Sequence, residues 1–490
     1  MISFLLGIAA LIIGYLVYGK ITEKIFSIKP ERQTPAIRIN DGVDFVPLPT
    51  WRATLIQFLN IAGTGPIFGA IAGALWGPAA FAWIVFGCIF AGAVHDYFCG
   101  MLSLRNDGAS IAEIVGKYLG NKPRYIMRVF SVALLVFVGV VFVYTPAQVL
   151  NVLIDPDNKN IFTIALIVII LYYIFATILP IDKLIGNLYP IFGAALLVMG
   201  VGITITLFAS GEIASMPEFE FKNLHPKGAA IFPFLFVSIA CGAISGFHAT
   251  QSPLMARCVK NETEGRKVFY GAMICEGVIA MIWAAAAMAH FGGQEGLAAA
   301  GSAASVVTKV SVDLMGAAGG ALAVLGVVAC PITSGDTAFR GARLSIADAL
   351  KFDQKPIKNR FAISLPLFAI GIVMVIWSQK SAANFSIIWR YFAWSNQTLA
   401  TIALWAASAY LAKTAKNYWI TLIPATFMTV VVTSYIITAQ EGFGPLISKL
   451  SGDPALSYNI GIAAGVILAV ALFSLFVPLI GIKQKGVLKD

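Results

Sequence analysis

From Ala53 to Val94 the chain carries no charged residue, and a second charge-free stretch runs from Gly228 to Ala256. Segments this long and this apolar are stable where lipid replaces water as the solvent. Both are interrupted midway. The first contains Ala62-Gly63-Thr64-Gly65-Pro66-Ile67-Phe68-Gly69, and the second contains Cys241-Gly242-Ala243-Ile244-Ser245-Gly246-Phe247-His248 followed by Gln251-Ser252-Pro253. Glycine loosens a helix and proline removes a donor, so both segments are expected to unwind near their centres. Unwound backbone in hydrocarbon leaves N–H and C=O groups unpaired at considerable cost unless something binds them. In transporters, paired interruptions of this kind point to the site of cargo or coupling ion.

The rest of the composition agrees with a polytopic membrane protein. Apolar residues make up 59% of the 490, charged residues 12%, and mean hydropathy is +0.84, against about 25% charged in soluble domains. Apolar runs predict thirteen spans, at 2–19, 52–75, 78–102, 125–153, 161–180, 185–209, 229–250, 268–290, 317–337, 361–378, 385–411, 418–438 and 458–482, with the least secure division at Ile181–Leu184. With these spans, Lys159, Lys222, Lys227, Lys309, Lys380 and Lys449 fall on one side. Arg128 and Arg390 fall within spans, and the other 26 of the 34 Lys and Arg, Lys183 and those after 482 included, lie on the opposite side. Basic residues are retained in the cytoplasm, so the N-terminus is expected outside and the C-terminus inside. The net charge of +10 is thus a topological signal and does not imply nucleic acid.

Residues 1–490 read as a single membrane domain. The two broken spans are the second and the seventh, five apart, and a repeated unit with an odd number of spans inserts upside down the second time. The expected architecture is therefore all-α, with inverted five-span repeats over 52–209 and 229–411. One helix and a loop (1–51) precede them, and two helices and a tail (412–490) follow. The stretch 294–316 suits either a short helix lying over the outer face or an ordered loop. The N-terminal segment lacks a basic leader and a small-residue cleavage site and is read as a span. The six cysteines show no paired spacing for a disulfide or zinc site. No phosphate-binding Gly-x-x-x-x-Gly-Lys-Ser/Thr loop is present, and no enzymatic activity or cofactor is expected.

Several polar residues stand where lipid would penalise them. At the first break, Pro66 suits the first turn of the second half-helix, whose free N–H groups at Gly63, Thr64 and Gly65 would favour a carboxylate; a proline kink with glycines for close packing is the alternative. At the second, His248 beside Ser245 and Gly246 can exchange protons or donate to an anion, or simply be a satisfied hydrogen-bonder. His95 and Asp96, adjacent near the end of span three, suit a gate, a proton relay or interfacial anchoring; being about 100° apart on the helix, they need not touch. Glu276, inside span eight, is a functional candidate by default, with structural pairing to Arg128, Arg390 or another span as the competing reading. Span nine ends in Cys330-Pro331-Ile332-Thr333-Ser334-Gly335-Asp336-Thr337-Ala338-Phe339-Arg340. There Thr333, Ser334 and Asp336 form an oxygen-rich group at an expected helix break, unless Asp336 and Arg340 merely pair at i and i+4. Asn396 and Gln397, in the girdle Trp394–Thr398, should face a cavity or another helix.

At these motifs the chain resembles the carbon starvation protein A family of bacterial inner-membrane transporters. The resemblance is carried by Gly65-Pro66-Ile67-Phe68-Gly69, Ala91-Gly92-Ala93-Val94-His95-Asp96-Tyr97 with Arg105-Asn106-Asp107-Gly108-Ala109-Ser110, and Ser245-Gly246-Phe247-His248. It continues through Thr333-Ser334-Gly335-Asp336-Thr337-Ala338-Phe339-Arg340 and Phe392-Ala393-Trp394-Ser395-Asn396-Gln397, and the length matches the family's shorter members. It implies uptake of peptides or pyruvate during carbon starvation, driven by an ion gradient. It also implies kinship with the amino acid–polyamine–organocation superfamily and its leucine-transporter-type fold. That fold would place cargo between spans two and seven, and a sodium site near 62–65 and Thr333–Ser334. The expected activity is alternating-access symport of a small carboxylate-bearing nutrient in the bacterial inner membrane. Gly63, Thr64, Gly65, Pro66, Ser245, Gly246, His248, Asn396 and Gln397 would hold the cargo. Thr333, Ser334, Asp336, Glu276, His95 and Asp96 would handle the coupling cation, H+ in preference to Na+. An amino acid transporter of the same fold, a channel or a nutrient sensor are the alternatives. The sequence assigns no oligomeric state.

Overall fold

The computed structural model describes residues 1–480 apart from 43, 177–188, 221 and 355; the predicted division at Ile181–Leu184, Lys183 and the tail after 482 lie outside the described residues. All described secondary-structure elements are helices. Among the described residues, ten helices are long and apolar enough to cross a membrane, and an eleventh crossing forms from Thr50–Ile61 and Gly65–Trp76, bent by 51° at the first break. The two remaining predicted spans are helical but atypical: 229–250 is broken, and Ala382–Lys413 carries Arg390 and the polar girdle. The chain is a multi-pass membrane protein.

Both breaks have local causes. Thr50–Ile61 stops because Ala62 leaves helical space (φ −81°, ψ 55°), and the Gly63 N–H turns back to the Ile61 carbonyl at 2.9 Å. Pro66 then sits in the first turn of Gly65–Gly73, where its missing donor costs no bond. In span seven the short helix Phe236–Ser238 ends at Ile239 (φ −98°, ψ 72°), and Ser245 is extended (φ −140°, ψ 127°) before Gly246–Ala256 begins.

The unwound stretches pack on one another so closely that side chains would not fit. A Cβ on Gly65 would stand 2.3 Å from Cys241 Sγ, and one on Gly92 of span three would stand 2.2 Å from the Ala243 carbonyl oxygen. Small residues at such crossings replace the hydrophobic driving force that lipid cannot supply. Span eight, with helix Ala272–His290, runs alongside the second break: a Cβ on Gly242 would stand 2.6 Å from Ala280 Cβ, and 3.9 Å from Pro66 Cα of the first break.

Of the two readings of 294–316, the helical one holds. Gln294–Ala299 is helical, and Ala303–Leu322 is bent at Gly316 (φ 59°, ψ −144°) to turn into span nine. The break expected at Cys330–Arg340 is not there: Ala329–Leu350 is one continuous helix. A wider helical turn at Ala323–Val328 just before Pro331 takes up the missing donor, so the proline does not cut the helix.

On the face bearing most of the basic residues, the segment between spans one and two straps several helix ends together. Its anchor is Glu262, fully buried, which accepts from Arg105 Nη2 at 2.8 Å and Nε at 3.0 Å and from the Lys29 N–H at 2.8 Å. Arg105 also donates to Tyr410 Oη at 2.9 Å and lies 4.0 Å over the Phe26 ring. Thr34 Oγ1 donates to the Lys260 carbonyl and the Leu48 N–H to that of Cys258. The strap thereby joins the ends of spans three, seven and eleven.

Candidate functional site

Span three carries a wider helical turn at Cys88–Gly92, immediately ahead of helix Ala93–Arg105. That turn presses Gly92 against the unwound Ala243 and brings Asp96 under the second break. Asp96 is completely buried and is the hub of the site. Its Oδ1 lies 2.8 Å from His95 Nδ1 and its Oδ2 lies 2.8 Å from His248 Nδ1. Although neighbours on a helix diverge, the His95 ring folds back onto Asp96, so these two residues do touch. His95 Nε2 faces Cys99 Sγ at 3.5 Å; a thiol donates weakly, which assigns the ring proton to Nδ1 and its bond to Asp96.

His248 is buried on helix Gly246–Ala256, and its second nitrogen, Nε2, lies 3.3 Å from Glu276 Oε2. Its two ring nitrogens therefore face two carboxylates from spans three and eight. Glu276 is fully buried as well, yet neither of its oxygens has a hydrogen-bond partner among the described residues. The competing pairings with arginine do not occur: Arg128 bonds to Glu113, and Arg390 to Glu441 at 3.0 Å. A buried carboxylate with unfilled acceptor sites is costly unless it takes a proton or a ligand donor. The cluster thus gathers two carboxylates and two imidazoles, all buried in the protein interior.

The rest of the breaks are built around this cluster. Asn396 Oδ1 accepts from Ser245 Oγ at 2.9 Å and from the Phe247 N–H at 2.7 Å, capping the second half of span seven from span eleven. Gly246 allows this approach, since a Cβ there would stand 2.3 Å from the Asn396 carbonyl oxygen. Gln397 Nε2 donates to the freed Phe236 carbonyl at 2.6 Å. At the first break, Thr64 provides no side-chain cap to Gly65–Gly73, and its buried Oγ1 has no partner among the described residues. Phe142 roofs Gly63, where a Cβ would meet the ring at 2.6 Å, and its ring stands edge-on to Phe247.

The oxygen-rich group of span nine stands differently from the expectation. Thr333 Oγ1 and Ser334 Oγ both donate to the Cys330 carbonyl, at 2.7 and 3.2 Å, inside their own helix. Asp336 pairs with Arg340 at 3.4 Å, the i, i+4 alternative. Span nine reaches the first break through Cys330, whose Sγ lies 3.5 Å from the Ala62 carbonyl oxygen. The structure therefore joins His95, Asp96, His248 and Glu276 in one cluster, sets Ser245, Gly246, Asn396 and Gln397 around the second break, and leaves Thr333, Ser334 and Asp336 turned to other partners.

Gln57 was not singled out from the sequence. It is buried in the first half of span two, donates to Ser252 Oγ at 3.3 Å, and keeps its Oε1 without a partner among the described residues. Its polarity inside a charge-free run was a usable signal. Of the Arg105–Glu262 anchor, the sequence marked only Arg105, through the motif Arg105–Ser110, while Glu262 reads as an ordinary charge at a helix end.

Solved transporters share this architecture. A manganese transporter of Eremococcus coleocola superposes with a TM-score of 0.53 at 14% identity, covering 90% of this chain and 99% of that one. Mhp1 in an inward-facing conformation gives 0.50 at 15%, covering 88% and 92%. At these identities the likeness is one of fold, and among the described residues no group of three or more His, Cys, Asp or Glu is arranged to hold a metal. Of the relatives in sequence, a membrane protein of Haemophilus influenzae is 46% identical over 63% of this chain and 96% of its own length. The peptide transporter CstA of Campylobacter jejuni is 26% identical over 85% of this chain and 77% of its own. The pyruvate/proton symporter BtsT of Escherichia coli is 27% identical over 56% of this chain and 47% of its own. These relatives and the solved structures are transporters where their names state an activity, and none of those names is that of an enzyme. The profile described as carbon starvation protein CstA matches residues 1–168, 158–291 and 283–435, so the chain belongs to the carbon starvation protein CstA family and has the all-helical fold of the leucine-transporter type.

Proposed function

We propose that the protein is a proton-coupled symporter that imports a small carboxylate-bearing nutrient, a peptide or pyruvate, by alternating access. The observation that carries this reading is the buried chain Asp96–His248–Glu276 set against the two broken helices. Glu276, with unfilled oxygens 3.3 Å from an imidazole, is the group that takes up the coupling proton. Asp96 holds His248 in register and offers its charge as the counter-ion to the imidazolium. Cargo binds at the start of Gly65–Gly73, where Thr64 makes no side-chain cap and the dipole favours a carboxylate, once the breaks that pack tightly here move apart to admit it. Protons are favoured over sodium because Asp96, His248 and Glu276 form a continuous buried run of groups that can take up and release a proton, with contacts of 2.8 and 3.3 Å. The distribution of Lys and Arg supports a cytoplasmic strap and an N-terminus outside, and an inner-membrane location goes with the proposed import of a nutrient.

The test is uptake into proteoliposomes of pyruvate, amino acids and di- and tripeptides, under a pH gradient alone and a Na+ gradient alone. Accumulation of a carboxylate-bearing solute driven by the pH gradient is the expected result. Uptake driven only by Na+, or a saturation-free current without accumulation, overturns the reading.

A further inference from the structure

Spans three, seven and twelve leave a groove of about 520 Å³ between them on the outside of the helical bundle, away from the acid–base cluster. Its floor is made by small residues of span three, Ala82, Gly87 and Ala91, and its walls by aromatic rings, chiefly Phe86, Phe90, Phe236 and Phe427. Phe86 and Phe90 stack on each other with centroids 6.1 Å apart and form one wall. The groove follows span three from Ala79 to Ala91, about 18 Å at 1.5 Å per residue. That is close to the roughly 15 Å depth of one leaflet's hydrocarbon. At the mouth stand Glu220 and Lys222, opposite charges that make no hydrogen bond or ion pair with other described residues.

We propose that this groove holds one acyl chain of a zwitterionic phospholipid whose headgroup carries a primary ammonium, its phosphate on Lys222 and its ammonium on Glu220. Charge decides the headgroup: a cation and an anion side by side match a phosphate and an ammonium, whereas an anionic lipid would meet Glu220 with repulsion. Shape agrees with this occupant: the cleft is about as long as one leaflet is deep, floored by small residues and open on the lipid side, which suits an extended chain. The site also touches the working parts. Trp83, in the groove wall, donates its indole N–H to the carbonyl oxygens of Phe236 at 3.1 Å and Ile239 at 3.2 Å, which the break in span seven leaves free. A tail lying on Trp83 and Phe236 braces that break from the lipid side.

The experiment is native mass spectrometry of the purified full chain through stepwise delipidation, with thermal melting of the same samples. One phosphatidylethanolamine per chain is expected to persist after bulk lipid is gone, and its removal lowers the melting temperature. Ala82→Trp fills the floor and cuts retention about tenfold; Lys222→Glu cuts it at the mouth without filling the groove, which keeps the test valid should Ala82→Trp misfold. Val373→Trp, on a lipid-facing position of span ten, is the control and retains the lipid. Equal retention of phosphatidylcholine or phosphatidylglycerol, undiminished retention in both groove variants, or loss of a dimer in place of a lipid overturns the proposal. None of these readouts depends on which solute the protein carries.

Discussion

Replacing Glu276 by Gln separates the proton from the scaffold. The amide keeps the volume of the carboxyl and removes its charge. The structural cost is small because Glu276 makes no well-formed hydrogen bond, and His248 keeps its 2.8 Å contact with Asp96. A loss of about 1 kcal/mol is expected, the scale of one net hydrogen bond. Asp96→Asn is different: it neutralises the hub that holds two buried imidazoles at 2.8 Å each, and breaking a buried pair costs about 3–5 kcal/mol. Asp96→Asn is therefore expected to melt well below Glu276→Gln. For transport the order is reversed in kind. One proton per cycle across a two-unit pH gradient is worth about 2.7 kcal/mol, or roughly 100-fold accumulation. Glu276→Gln should lose this uphill step and fall to about one-to-one, while still exchanging labelled for unlabelled cargo across the same vesicles. The assay is a pH jump in proteoliposomes beside a counterflow measurement and a melting curve. Near-wild-type accumulation by Glu276→Gln, or an Asp96→Asn protein as stable as the glutamine variant, refutes the reasoning.

Other substitutions test the frame around the cluster. Asn396→Ala uncaps the second half of span seven and should cost about 1 kcal/mol, the usual value of a helix cap, together with a loss of uptake; thermal melting and vesicle uptake check it. Gly92→Ala places a methyl 2.2 Å from a backbone oxygen that cannot step aside, so folded yield should collapse, whereas at Gly63 the obstacle is the Phe142 ring and a milder loss is expected; size-exclusion profiles compare the two. Glu262→Ala strands the buried Arg105 and should destabilise by about 3–5 kcal/mol, with much of that cost removed when Arg105 is replaced as well, as a double-mutant cycle will show. Thr333→Ala and Ser334→Ala should leave pH-driven uptake within about twofold, since each removes one net hydrogen bond inside its own helix; a Na+-dependent defect counts against proton coupling.

The helix breaks were legible in the sequence because glycine and proline act locally, and the spans because lipid imposes a length. What pairs with what was less legible. Glu276 could be flagged as a buried acid, but its partner is His248 from a different span, and no spacing rule connects positions held together by packing. The expected break in span nine failed for a related reason. Pro331 looks like a breaker by residue type, while the wider turn ahead of it absorbs the fault, and that adjustment depends on the neighbouring helices. That the hydroxyls of Thr333 and Ser334 donate to the Cys330 carbonyl of their own helix is likewise a partner that residue type alone does not reveal.

On the inverted five-span repeat expected from the sequence, Asp96 would belong to the first unit and its partner His248, with Glu276, to the second. The contact that would store a proton is therefore also a stitch between two bodies. Any swing of one unit against the other must cut or retie that stitch, and the charge state of three side chains sets how hard it pulls. Loading and motion would then share a single seam, with no separate messenger needed to carry word from one to the other.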